Sequence, residues 1–293
     1  MTDAARQPDI TSIAPWFGNN RTSARRVADL FGPLAHCTVP FLGGAPELLH
    51  IKTRDGVASD LHRHLINLVR VTRDDELRER MIADLDSRIF HASELAEAQA
   101  RCTDRERNNG QRADLFGVIT PAPDLDPDPL WAADYFVCSW MGRGGAMGKV
   151  GEFDQSLAVR MTSSGGSSAK RWRSAVESLR PWGRAFASWS FVVRDGLSLL
   201  DDVTDNANHG IYLDPPWPDA GDDYRHSMPV KMHDDIARRL CRFNHTKIVV
   251  RYADHPAIRE CYANEDRWRW HRFPSKNQAG NEYPEVLIES VRA

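Results

Sequence analysis

The sequence predicts an α/β fold, a mainly parallel sheet covered by helices on both faces and interrupted by a mostly helical insertion. Three observations carry that expectation. Short apolar runs alternate with amphipathic helical stretches towards both ends of the chain. That rhythm is lost between about residues 75 and 185. A glycine-rich turn and an acidic strand end come early, and a second acidic strand end comes late. With 293 residues, 41% of them hydrophobic, the chain is long enough for one large domain or for a core domain with an inserted subdomain.

Residues 1–12 are polar and expected to be loosely held. From Thr22 to Leu34, with Thr22 or Ser23 as the cap, Ala24, Val27, Ala28, Leu30 and Phe31 recur at helical spacing. The apolar strand Cys37–Phe41 runs into Leu42-Gly43-Gly44-Ala45-Pro46, a turn whose glycines let backbone approach a ligand. Val57-Ala58-Ser59 reads as a strand ending at Asp60, and a helix with Leu61, Leu65, Leu68 and Val69 on one face follows. Strand, glycine turn, strand and acidic residue is the order of a nucleotide-cofactor α/β unit, in which the strand-end carboxylate accepts ribose hydroxyls. Helical stretches at Glu76–Leu85 and Ser93–Arg107, a Pro/Asp-rich loop at Pro121–Pro129, an aromatic segment at Trp131–Trp140 and a glycine-rich run form the insertion. The α/β pattern resumes with strands at Phe186–Val193 and Ile211–Leu213, a helix at Val230–Phe243 and a strand at Lys247–Tyr252. A helix near His255–Tyr262 and strands around Trp268–Arg272 and Glu285–Ser290 close the chain.

Net charge is only -3, so a surface for nucleic acid would have to be a local basic patch. Five cysteines, widely spaced and without a C-x-x-C pair, point to a reducing cytoplasmic setting and no zinc site. His62 and His64 lack a second cluster with metal spacing and are expected as solvated helix residues. No apolar run approaches membrane-spanning length, and Met1–Asp9 lacks a signal-peptide core. A soluble protein is expected.

The apolar run Ile211-Tyr212-Leu213 leads into Asp214-Pro215-Pro216-Trp217. Pro216 has no N–H and forces Pro215 into an extended conformation, which keeps the Pro215 carbonyl out of a helix and free to accept a hydrogen bond. Together the Asp214 carboxylate and that carbonyl suit the two hydrogens of an exocyclic amino group, and Trp217 offers a plate for a base to stack on. The plainer alternative is a strand-end turn with Trp217 in the core. Between Arg160 and Arg184, the cations Arg160, Lys170, Arg171, Arg173, Arg180 and Arg184 face only Glu177, beside the Ser/Gly-rich stretch Ser163–Ser168. That excess suits a phosphate backbone, against the alternative of a solvated helix face. Arg267, Trp268, Arg269, Trp270, Arg272 and Phe273 alternate like a strand with one core face.

Several of these segments, in one order, resemble the Dam-like class of DNA adenine-N6 methyltransferases. Pro15-Trp16-Phe17-Gly18 is similar to that family's amino-terminal cofactor segment, Val39–Gly44 to its glycine loop, and Ser59-Asp60-Leu61 to its ribose-binding strand end. Arg194-Asp195-Gly196 is similar to the loop that meets the cofactor adenine, and Asp214–Trp217 to the catalytic motif. The resemblance implies a Rossmann-like S-adenosylmethionine-dependent methyltransferase fold with a helical target-recognition insertion. Its parts would be a cofactor-binding segment at 1–74, the insertion at 75–185 and a catalytic segment at 186–293. It further implies S-adenosylmethionine held by Trp16, Gly18, Pro40, Phe41, Gly43, Asp60 and Asp195. Asp214, Pro215, Pro216 and Trp217 would act on an adenine flipped out of duplex DNA, and Arg160, Lys170, Arg171 and Arg173 would contact the DNA; no metal is implied. The chain departs from the family pattern at Asn19-Asn20, Val39, Ala45 and Trp217. Two rivals stay open: an amino methyltransferase acting on RNA adenine or on cytosine, and a methyltransferase-like nucleic-acid-binding or regulatory protein without turnover.

Overall fold

A computed structural model describes residues 8, 10–18, 23–109, 112–113, 119–120, 126–143, 147–159, 167–218, 224–226, 228–276 and 282–291. In chain order the first elements are α1 (Ala24–Phe31), β1 (Leu34–Val39), β2 (Thr53–Asp60), α2 (Arg63–Arg73), α3 (Asp75–Ser87), α4 (Ala92–Asn109) and α5 (Pro129–Met141). They are followed by α6 (Ser168–Glu177), α7 (Leu179–Phe186), β3 (Trp189–Val193), α8 (Gly196–Asp201) and β4 (His209–Leu213). The last are α9 (Val230–Leu240), β5 (Lys247–Ala253), α10 (Pro256–Cys261), β6 (Trp268–Lys276) and β7 (Glu282–Ser290). A 3-10 turn spans Pro46–Leu49, and Arg112–Ala113 pairs with Ile119–Thr120 in a short ladder.

Two compact units divide the chain. A helical unit takes Met1–Phe17, His62–Met147 and Gly151–Ala187; a sheet unit takes Gly18–Leu61, Gly148–Val150 and Ser188–Ala293.

The sheet unit holds seven strands in the order β3-β2-β1-β4-β5-β7-β6. The first five run parallel, while β7 lies antiparallel between β5 and β6. This is the Rossmann-like methyltransferase arrangement that the sequence led us to expect, with helices on both faces. Side-chain alternation assigns the faces. Ile211 and Leu213 of β4, Ile248, Val250 and Tyr252 of β5, and Val286 and Ile288 of β7 form one apolar cluster with residues of α8, α9 and α10. Gly210 and Tyr212 point the other way, where α1 packs; a Cβ on Gly210 would lie 2.5 Å from Leu34 Cδ1 and 3.2 Å from the Phe31 ring. Full burial of a ring such as that of Phe31 is worth about 1.5–3 kcal/mol.

In the helical unit α5 is apolar nearly all round and buried along its length, as a central helix must be. Helices α2, α3, α4 and α6 pack against it. Its start is tied to α2 by a reciprocal pair: Asn67 Nδ2 donates to the Asp128 carbonyl at 3.0 Å, and the Asp128 N–H donates back to Asn67 Oδ1 at 2.9 Å. Asp128 then caps α5 by accepting from the N–H groups of Leu130 and Trp131.

Several local expectations change. Leu34 opens β1 instead of ending α1, and Leu61 is exposed ahead of α2 instead of lying on its apolar face. Phe186 ends α7 instead of opening a strand, because its ring packs on Trp182 one helical turn earlier, with centroids 5.1 Å apart. His62 and His64 are buried, not solvated. His62 Nδ1 accepts the Leu65 N–H as the α2 cap, which leaves its Nε2–H to donate to Glu152 at 2.7 Å. His64 Nδ1 accepts the Trp131 indole N–H at 2.6 Å. Polar partners inside the unit satisfy both rings. Among the described residues no helix is long and apolar enough to cross a membrane.

Candidate active site

Strand order reverses between β1 and β4: the chain builds from β1 out to β2 and β3 on one side, and from β4 out to β5 on the other. In open α/β sheets the crevice beyond the carboxyl ends of such strands is where ligands bind. Asp60 is the last residue of β2, and the loops that leave β1, β3 and β4 carry Gly43, Asp195 and Asp214 respectively.

The turn after β1 is held in shape by its neighbour strand. The Leu42 N–H donates to the Ser59 carbonyl and the Ser59 hydroxyl to the Pro40 carbonyl, both at 3.0 Å. Gly43, with φ 50°, donates its N–H to Asp60 Oδ2 at 3.1 Å. Asp60 does not cap α2, a role taken by His62, so its carboxylate stays with the glycine turn. Ala45 occupies the left-handed region at φ 59°, where the family pattern has a third glycine. The loop after β3 joins the same corner, because a Cβ on Gly196 would lie 2.7 Å from the Phe41 ring and 2.9 Å from the Pro40 carbonyl. Only glycine lets Asp195 follow β3 so close to the turn. Asp195 accepts the Ser198 N–H at 2.9 Å with Oδ1 and so starts α8. Pro40, Phe41, Gly43, Asp60 and Asp195 are thus gathered at one end of three adjacent strands.

The Asp214 corner is set by register. Leu213 pairs with Val250 in the parallel β4–β5 ladder, so the next residue of each strand, Asp214 and Arg251, come together on the face opposite the apolar cluster. Arg251 Nη1 donates to Asp214 Oδ2 at 2.7 Å and to the Gly18 carbonyl at 3.0 Å. Its Nε and Nη2 grip Glu285 at 3.2 and 2.7 Å. The guanidinium carbon lies 4.8 Å from the Trp217 ring centroid, and the Trp217 indole N–H donates to Asp214 Oδ1 at 3.3 Å. Arg251 and Glu285 are 2% and 1% exposed, whereas Asp214 keeps 19%. Among the described residues no donor reaches the Pro215 carbonyl. Gly18 holds φ 71° with the Tyr224 hydroxyl 2.5 Å from where a Cβ would stand, so no side chain fits there.

Charge is unevenly matched in this corner. Burial pushes the Asp214 carboxyl up from its ordinary value; Arg251 pulls against that push and the Glu285 charge adds to it. Arg251 stays charged despite its burial, because two carboxylates face it. Below them Glu47, 3% exposed, accepts the Tyr212 hydroxyl at 2.9 Å. Burial and the Asp214 charge push Glu47 up to about 7.

The remaining predicted residues lie elsewhere. Trp16 belongs to the helical unit, where its ring meets His62 edge-on at 5.2 Å. Lys170, Arg171 and Arg173 are exposed on α6 of the same unit, with Ser167 capping the helix by accepting the Lys170 N–H. Arg171 lies over the Trp140 ring at 5.3 Å. Arg160 and most of Ser163–Ser168 fall outside the described residues. Sequence reasoning missed Arg251, Glu285 and Glu47. The signal for Arg251 was a charged residue inside the apolar run Ile248-Val249-Val250-Arg251-Tyr252, since a strand buried on both faces carries a charge only with a partner.

Among the described residues no group of His, Cys, Asp and Glu is arranged to hold a metal. The strand order is that of the methyltransferase-fold superfamily, a Rossmann-like topology consistent with a nucleotide-cofactor-binding fold in general. Compared with known proteins, the chain matches no family model and no curated protein.

Proposed function

We propose that this chain is an S-adenosylmethionine-dependent methyltransferase that methylates the N6 amino group of adenine in DNA. The observation that carries the reading is the corner after β4, where a partly exposed carboxylate and a carbonyl that no donor among the described residues reaches stand in one dipeptide beside an indole. An adenine amino nitrogen is a weak nucleophile because its lone pair is delocalised into the ring. Two fixed acceptors that take its hydrogens favour a tetrahedral nitrogen, and a fixed anion stabilises the positive charge that builds during transfer. The Trp217 ring supplies the stacking surface.

The loops fit the methyl donor. The Asp60 carboxylate, at the end of β2 and bonded to the Gly43 N–H, stands where a strand-end acid accepts ribose hydroxyls in nucleotide-cofactor folds. Asp195 uses Oδ1 for its cap and keeps Oδ2 for an adenine amino group. Gly18, Pro40, Phe41 and Gly43 supply backbone and one ring around them. When bound, S-adenosylmethionine supplies an electrophilic methyl group on a sulfonium. Asp214 and Pro215 orient the acceptor amino group, and Pro216 fixes the backbone that does so.

The exposed cations of α6 support phosphate contact; no described acid pairs with Lys170 or Arg173. An adenine in a duplex is stacked and paired, so the reaction requires it to be rotated out. The test is product analysis: incubation with labelled S-adenosylmethionine and either DNA or RNA, followed by digestion to nucleosides. Label in N6-methyladenine from DNA supports the reading. Label confined to RNA or to cytosine selects the rival acceptor, and cofactor binding by calorimetry without transfer selects the non-catalytic binding protein.

A further inference from the structure

We propose that Arg251 is the positioning residue of this site: its one guanidinium fixes the orientation of the Asp214 carboxylate and backs the Trp217 indole that holds the other carboxylate oxygen, so that a base is gripped in a single pose. This assignment rests on the methyl-transfer reading above. Three features of the guanidinium carry it.

Its outer edge is spent on Glu285, which it grips with two N–H groups. That fork needs a planar, five-donor head and a partner in a fixed place, which lysine does not offer. Glu285 sits on β7 two residues from Leu287, the residue that pairs with Arg251, and therefore on the same face of the sheet. With that edge clamped, Nη1 has one direction left, shared by Asp214 Oδ2 and the Gly18 carbonyl. The carboxylate is then held at both oxygens, by Arg251 on Oδ2 and by the Trp217 indole N–H on Oδ1. Each oxygen keeps one lone pair, and its direction is set by the donor already bound.

The plane of the guanidinium also covers one side of the Trp217 ring, at 4.8 Å. The ring also packs against the apolar cluster, so the indole stands fixed beside the carboxylate. Grip and plate are thus referred to one rigid group, which is itself buried and bonded to three strands or loops of the sheet unit. Misplacement by about 1 Å at a reacting centre costs on the order of a hundredfold in rate. An adenine held by the wrong lone pair is misplaced by more than that.

The test compares wild type, Arg251→Lys and Arg251→Ala in labelled-methyl transfer to DNA. Initial rates are measured from pH 5 to 9, with folding checked by thermal melting. For the lysine variant we expect kcat to fall by about a hundredfold, with a much smaller rise in KM for S-adenosylmethionine, because Arg251 touches the Gly18 carbonyl but not Gly43, Asp60 or Asp195. Its acid limb should move to higher pH, since Asp214 without a close guanidinium keeps its proton longer. Added guanidinium ion should restore part of the rate in the alanine variant; if that variant does not fold, the lysine variant decides. A lysine variant with wild-type kcat and pH profile, or a loss lying wholly in KM, overturns the assignment and leaves the reading standing. A wild type that transfers no methyl group overturns the reading and the assignment with it.

Discussion

Among the described residues, each unit of this protein buries a three-membered Arg–carboxylate centre, and the two have opposite compositions. In the helical unit Asp134 on α5 lies between two arginines: Arg88 donates at 2.9 Å, and Arg101 donates with two N–H groups at 3.0 and 2.9 Å. In the sheet unit the arginine is central, and Arg251 lies between two carboxylates. Asp134 is 3% exposed, with each oxygen taken by a guanidinium. Asp214 is 19% exposed, shares its cation with Glu285, and is pushed up by burial. A carboxylate with a surplus of cations is a strut. One with a deficit of cations and partly open to solvent is a candidate acceptor for a ligand's hydrogens.

The comparison breaks most visibly if the strut is removed. Asp134→Ala leaves two guanidiniums without their shared partner, and we expect a loss of about 3 kcal/mol by urea denaturation, at the low end for a broken buried pair. The low end applies because Arg88 keeps Asp84 at 2.7 Å and Arg101 is 44% exposed. S-adenosylmethionine affinity should not change. A variant as stable as wild type removes the contrast.

The next test sharpens it through pH. Glu47 lies on the carboxylate-rich side, and its folded value of about 7 stands above the ordinary 4.5. The folded state therefore holds a proton that the unfolded chain releases first. That contribution is fully present below pH 4.5 and is lost as pH rises through about 7. At ~1.4 kcal/mol per unit the gap amounts to about 3 kcal/mol, so Glu47→Gln should match wild type near pH 4 and exceed it at pH 8 by up to that amount. Parallel pH–stability curves would show that Glu47 is not coupled to Asp214.

The smallest effect concerns the surface of the helical unit. Lys170→Ala and Arg173→Ala should each lower the slope of log affinity against log salt for DNA by about one, at a cost near 1 kcal/mol. An unchanged slope assigns α6 to solvent.

The same contrast explains what was legible in the sequence. Strands β1, β2, β4 and β5 announced themselves as short apolar runs, and helices α3, α4 and α9 by spacing, because sheet and helix faces impose a local period. Asp60, Gly43 and Asp214 were legible because each stands at the end of such a run, where a polar residue needs a reason. Arg251 and Glu285 were not, since their pairing depends on an antiparallel register between strands some thirty residues apart, which no local pattern encodes. His62 and His64 misled for the same reason: their partners Glu152 and Trp131 are distant in the chain. Glu47, charged in the sequence and following a glycine turn, gave no sign that Tyr212 would cover it.

The central claim is that the Asp214 carboxylate grips an adenine amino group. The most direct measurement is labelled-methyl transfer from S-adenosylmethionine to duplex DNA by wild type and by Asp214→Ala, with the folded state of both verified. We predict N6-methyladenine from wild type and at least about a hundredfold less from the variant, at unchanged cofactor affinity. Equal incorporation by the two proteins would contradict the claim.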